Sequence, residues 1–434
     1  MTTTFKSATQ LQAVVPSSLL ASGGSFNVTV SAPLGLATGA KTFTVTTVAP
    51  PPVTAVKVAP SPVIGGVSTK VAVYLNQLAP TGGVQISVAS NNPAATVPGT
   101  ITIPAGSSAA NATVTTSSVA AATTVTVTAK SGNSTVQTTM VVLPPSVSSV
   151  RVAPAPVLGG VSTKVAVYLN AVAPSGGFPV TVSSNSAAAS LAGTITVPAG
   201  ATAANETVTT TPVASSTTVT ITAKTGTTSV QTTFSVVPPS VDLVKVAPAP
   251  VLGGVSTKVA VYLSGAAPTG GFPVTVSSNN AAAALAGTIT VPAGATAANE
   301  TVTTTPVASS TTVTITAKTS ATSVTTTFSV VPPSVSVVRV APSPVVGGNG
   351  TKVAVYLTGA APTGGYVVTL KSSNPAVVVP GTIPVPAGAT AANGPVTTSK
   401  VTSSTTVTIT ATTGSTSVTT TMVVNPEGVL SPEP

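Results

Sequence analysis

The 434-residue chain contains no cysteine, no histidine and no tryptophan, and only 5% of its residues are charged. Without cysteine it holds no disulfide and no thiolate nucleophile. Without histidine it has no imidazole base, and the usual Cys and His metal sites are excluded by count. Acids are scarce as well: Glu206, Asp242, Glu300, Glu427 and Glu433 are the complete set. Long apolar runs are missing too. Thr, Ser, Pro or Gly interrupts every Val-rich segment before the eighteen residues a membrane-spanning helix needs, so no membrane insertion is expected. The opening MTTTFKSATQ has no apolar signal-peptide core. The expectation is that a secretion signal was removed or that the chain is a piece of a larger protein.

What the chain does have is repetition. GGVSTKVAVYL occurs at 65–75, 159–169 and 253–263, and GGNGTKVAVYL at 347–357, at a constant spacing of 94 residues. A period of that length is the size of a small domain, and an internal repeat governs how everything else is read. Within the motif Val67, Thr69, Val71, Val73 and Leu75 alternate with Ser68, Lys70, Ala72 and Tyr74, the period-two pattern of a half-buried strand. Similar β-branched runs flank it in the first repeat, TAVKVAP before it and VQISVAS, TITIPAG, NATVTTSSV, TTVTVTAK and STVQTTMVVL after it, separated by Gly, Pro, Asn or Ser. Val and Thr lose rotamer freedom in a helix and the prolines break one, so almost no helix is expected. Seven short strands in 94 residues predict an immunoglobulin-like β-sandwich.

Comparison of the copies separates core from surface. Position 84 reads Val84, Phe178, Phe272 and Tyr366, and position 140 reads Met140, Phe234, Phe328 and Met422. Only large apolar groups exchange there, as at core positions that repack around one backbone. A proline pair closes each unit, at Pro50-Pro51, Pro144-Pro145, Pro238-Pro239 and Pro332-Pro333, and such pairs are stiff and extended. The predicted organisation is all-β, with four tandem Ig-like domains at 53–146, 147–240, 241–334 and 335–428 stacked into an extended rod. Residues 1–52 are a partial domain with its proline linker, and 429–434 are a tail.

The pattern GG…TKVAVYL…AP.GG…V.VSSN…TITVPAGA over residues 53–428 resembles the tandem Ig-like repeats of large bacterial extracellular and surface proteins. Such repeats serve as stalks and adhesin shafts. ATQLQAVVPSSLLASGGSFNVTVSAP…KTFTVTT in the first fifty residues is similar to the second half of an IPT/TIG domain. Three strands are expected there, around LQAVV, SFNVTV and TFTVTT. Half a sandwich leaves an apolar face and strand edges open to water, which points to a fragment or to completion by another copy. The tail EGVLSPEP, short and Pro-broken, is a poor strand donor, so a monomeric rod is expected and a fibre is the alternative.

The search for chemistry returns little. No repeat offers a carboxylate pair for acid–base catalysis, and the first repeat has no acid, which removes calcium cages. No phosphate-binding loop has the right spacing. The adjacency of Ser68 and Lys70 reads as a solvated strand face, since no strained nucleophile elbow accompanies it. Lys164 with Asn205 and Glu206, and Lys258 with Asn299 and Glu300, have the residue types of an internal Lys–Asn cross-link, but repeats one and four lack the acid. The remaining candidates are two rows, Lys70, Lys164, Lys258 and Lys352 beside Tyr74, Tyr168, Tyr262 and Tyr356. Rings of this kind cover a domain end or a neighbouring strand, or else stack on sugars next to a cation.

The expected function is therefore a non-enzymatic stalk or spacer of a bacterial extracellular or surface protein, needing no cofactor and no metal. Its partners are the remainder of that protein and a cell-surface glycan, with no nucleic acid, because the net charge of +10 is spread along the chain. The alternatives are a polysaccharide- or polyanion-binding module using the Lys and Tyr rows, and a subunit of a strand-complemented fibre or phage structure.

Overall fold

A computed structural model describes residues 3–7, 9–15, 24–30, 39–45 and 49–428; residues 429–434, assigned from the sequence as a tail, lie outside it. Among the described residues every regular element is a β-strand. Before the repeats stand two hairpins. β1 (Thr3–Ser7) pairs with β2 (Gln10–Ala13), and β3 (Gly24–Val28) pairs with β4 (Lys41–Val45). Three of these strands match LQAVV, SFNVTV and TFTVTT, while β1 was not anticipated. Phe5, Leu11 and Phe43 are exposed.

The first repeat runs β5 (Val53–Ala59), β6 (Val63–Ile64), β7 (Thr69–Leu75), β8 (Val84–Ser90), β9 (Ala95–Thr96), β10 (Thr100–Ile103), β11 (Ala109–Thr116), β12 (Thr123–Ser131) and β13 (Ser134–Leu143). One sheet has the order β5-β7-β11-β9 and the other β10-β8-β12-β13-β6. The first strand switches sheets: β5 is antiparallel to β7, whereas β6 pairs parallel with β13. Two antiparallel sheets with that shared leading edge form an Ig-like sandwich, and the same two orders recur in all four repeats. The chain is an all-β tandem of Ig-like domains.

Alternation builds the core. In β7 Thr69, Val71, Val73 and Leu75 face inward, and Lys70 and Tyr74 face outward. Val67 departs from the expected pattern: it lies in the turn ahead of the strand, 48% exposed, with its amide bonded to the Ile64 carbonyl. Val71, Val73, Ile86, Ile103, Val125, Val127 and Met140 are fully buried, each contributing roughly 1.5–3 kcal/mol by leaving water. The exchangeable positions 84 and 140 are buried as predicted, apart from Tyr366, which is only partly covered.

The Gly-Gly that opens each motif has a steric cause. A Cβ on Gly159 would lie 2.6 Å from the carbonyl oxygen of Thr211, and Gly160 adopts φ +89°, a region that L side chains avoid. The buried threonine that follows is satisfied as well. Thr163 is 2% exposed and its hydroxyl donates to the Pro154 carbonyl at 2.7 Å, as Thr69 donates to Pro60, Thr257 to Pro248 and Thr351 to Pro342. Thr163→Val keeps the shape and deletes this bond. It should cost about 1 kcal/mol, seen as faster amide exchange within repeat 2 and unchanged exchange in repeats 1, 3 and 4.

Burial raises the Tyr366 phenol above its ordinary pKa. A raised folded pKa means that the unfolded chain loses this proton first. The stabilisation is thus whole below about pH 10 and is lost as pH climbs toward the folded pKa. Tyr366→Phe, which copies Phe178 and Phe272, should gain melting temperature relative to wild type between pH 8 and pH 11. Parallel calorimetric curves across that range would contradict the effect.

Candidate interaction face

The rows of Lys and Tyr both lie on the outer face of the four-stranded sheet, and strand register shows what surrounds them. Tyr74 stands between Ala55 and Ala109, Ala72 between Lys57 and Asn111, and Lys70 between Ala59 and Thr113. The result is a grid of one ring, two cations and one amide around a small alanine floor. It recurs around Tyr168 and Lys164 with Arg151 and Asn205, around Tyr262 and Lys258 with Lys245 and Asn299, and around Tyr356 and Lys352 with Arg339 and Asn393.

The tyrosines are 37–40% exposed, so each lies against the sheet with part of its ring in water. In the first repeat the Lys57 ammonium is 5.8 Å from the Tyr74 ring centroid, within cation–π range. The cation at position 57 and the asparagine at position 111 were missed from the sequence as members of this face, although both recur at the same period of 94 residues. The Lys/Arg alternation at 57, 151, 245 and 339 was the available signal.

Acids are kept off the grid. Glu206 is in register with core-facing Val165, and Glu300 with Val259, so both lie on the opposite side of the strand from Lys164 and Lys258. This overturns the cross-link geometry: Lys164 and Asn205 share an exposed face, and the acid that would assist them points the other way. Asp242 sits at the bulge of an edge strand, where Thr54, Ser148 and Ser336 donate a hydroxyl to the carbonyl of the repeat's tyrosine. The ion pair found among the described residues, Lys400 with Glu427 at 2.6 Å, lies elsewhere.

A second recurring feature is a shallow depression at the loop after β8, about 350 Å³ in repeat 1 and about 450 Å³ in repeat 3. Its polar groups are engaged in shaping the loop: Asn91 Oδ1 accepts from the Thr126 amide and Asn92 Oδ1 from the Ala94 amide, both at 2.8 Å. The outer-face grid is thus the better candidate for contact with another molecule.

No protein-family model matches the chain, and no curated protein matches it. Among solved structures it is similar to invasin, a bacterial integrin-binding protein, at a TM-score of 0.35 and 15% identity, covering 86% of this chain and 79% of that one. An ICAM-5 ectodomain fragment gives a TM-score of 0.34 at 14% identity, covering 86% and 98%. The surface layer protein SbsC gives 0.19 at 15% identity, covering 86% and 66%.

Proposed function

We propose that the chain is a non-enzymatic spacer of a bacterial extracellular or surface protein, an extended rod of Ig-like domains that sets distance. One observation carries this reading. Every repeat closes a core of its own at the same register, and only three residues separate the last strand of one repeat from the first strand of the next: Pro144-Pro145-Ser146, Pro238-Pro239-Ser240 and Pro332-Pro333-Ser334. Independent units on minimal stiff linkers add length without a new folding problem. Small-angle scattering should give a maximum dimension of roughly 160 Å or more, at about 40 Å per sandwich. A compact particle would overturn the reading.

The cation and tyrosine grid favours a second reading, in which the same face grips an acidic polysaccharide. Eight cations lie on equivalent faces at one period, and evenly spaced weak contacts sum if the ligand matches their spacing. Retention on an immobilised acidic glycan should then fall steeply between low and physiological salt. It should drop at least about tenfold when Lys70, Lys164, Lys258 and Lys352 are changed to Ser, if each contact is worth a few tenths of a kcal/mol or more. Equal retention by this variant would leave the grid a solvated surface.

A further inference from the structure

The junctions between repeats hold more than a linker. The second proline of each pair, Pro145, Pro239 and Pro333, is buried. The serine after it is pinned by the following repeat: the Ser146 amide donates to Asn170 Oδ1 at 2.8 Å and the Ser146 carbonyl accepts from the Asn170 amide. Ser240 with Ser264 and Ser334 with Thr358 repeat the arrangement. The residues just after these partners form the end face that meets the preceding repeat. Gly265 faces Leu158 so closely that a Cβ built on it would be 2.8 Å from Leu158 Cδ2, and Gly359 faces Leu252 at the same 2.8 Å.

Backbone geometry does not explain these glycines. Neither has a positive φ, and the equivalent positions are Gln77 and Ala171 in repeats 1 and 2. The neighbouring repeat does explain them. Where the position carries a methyl, at Ala171, the equivalent residue of the preceding repeat is the β-branched Ile64; where it is glycine, the facing residue is the γ-branched Leu158 or Leu252. The first junction also has contacts of its own. Ser118 Oγ donates to the Val172 carbonyl at 2.7 Å, and a Cβ on Gly66 would lie 3.7 Å from Val172 Cγ2. The later junctions have Pro212 and Pro306 in place of Ser118, and Ala266 and Ala360 in place of Val172. A cleft of about 350 Å³ lies between Ile64 and Leu143 on one side and Asn170 and Phe178 on the other. The covered state of this end face is visible at a third position: Pro174, Pro268 and Pro362 are buried, whereas the equivalent Pro80 is exposed.

We infer that the ends of the repeats are shape-matched docking faces, Ile64 on Ala171, Leu158 on Gly265 and Leu252 on Gly359, and that these contacts fix the angle between neighbouring repeats. The partner each face fits is the next Ig-like unit of this chain, of the matching type. The inference deepens the spacer reading, because an angle matters most to a chain that spans a distance. The contact itself is tested separately.

The absence of native cysteine makes the test direct. In the full chain, Lys224→Cys and Lys318→Cys place one spin label on an exposed strand position on each side of the second junction. Gly265→Val, which fills the hole, should broaden or displace the inter-label distance distribution by about 1.5-fold in width or more. Adding Leu158→Ala should return it to near the parent, the coupling expected of residues in contact. Leu158→Ala alone removes the knob without intruding on either core, and it should broaden the distribution while leaving amide exchange in the cores of repeats 2 and 3 unchanged. A distribution that ignores Leu158→Ala, or a Gly265→Val effect that Leu158→Ala does not relieve, overturns the inference. Broadening that appears only when Pro238 and Pro239 are both changed to Gly assigns the angle to the prolines and also overturns it. A compact scattering envelope with intact narrow distances would defeat the spacer reading and leave the docking faces standing.

Discussion

Two residues of parallel pairing, Val63–Ile64 against Val142–Leu143, govern both the sandwich and its attachment to the next one. By crossing from one sheet to the other, the leading strand covers the free edge of β13, which would otherwise offer unpaired amides to any passing strand. The crossing forces the chain past the segment after β11 so tightly that the next residue must be glycine. It also brings Ile64 beside Leu143, where the linker departs. The residue that ends the short strand therefore stands at the pole of the domain, next to the neighbour. The invariance of the Gly-Gly motif and the position of the junction contact are consequences of the same crossing.

The strands and their inward faces were legible because a two-sheet sandwich imposes period two on every strand, and Val and Thr report it without interference from helix-forming residues. Legibility failed where periodicity continues past the strand. Val67 fits the alternation of β7 but belongs to the turn that Gly66 creates, so its side chain lies in water. The two-residue strands β6 and β9 are too short to carry a pattern. The candidate face was half visible. Lys70 and Tyr74 share a strand, so their common orientation follows from i and i+4, whereas Lys57 and Asn111 reach the same face only through cross-strand register, which sequence spacing does not encode.

The surface follows from the shortage of charge. With hydroxyls covering most outward positions, a lysine meets few acids, and the fold uses that freedom asymmetrically. The edge strand and central strand of the four-stranded sheet each supply one cation per repeat, while Glu206 and Glu300 occupy positions whose side chains leave the strand on the inner side. In the other repeats that site is Ala112 or Gly394, and a Cβ on Gly394 would approach Pro380 and Ile383 at 3.1–3.3 Å. It is thus a rim of the core and no part of the outer face. Charge within the grid keeps one sign, which makes the face attractive to anions.

Copying a domain is simple for a core, because each core answers only to itself, but a junction residue must fit a partner supplied by a different copy. The third repeat has a glycine hole at Gly265 and a leucine knob at Leu252, so its two ends are complementary and it can follow itself. The second repeat combines the tighter hole at Ala171 with the γ-branched knob at Leu158. It cannot follow itself without bringing a γ-branched side chain onto a methyl group, at a point where a Cβ built on the equivalent Gly265 would lie 2.8 Å from Leu158 Cδ2. It does fit between an isoleucine-ended repeat and a glycine-holed one, which is where it stands. Repeats 2 and 3 are nearly identical in sequence, yet this one position makes the former an adaptor and the latter an extendable unit. The order of the repeats is therefore constrained by packing at their ends, in residues that the internal stability of either domain does not require.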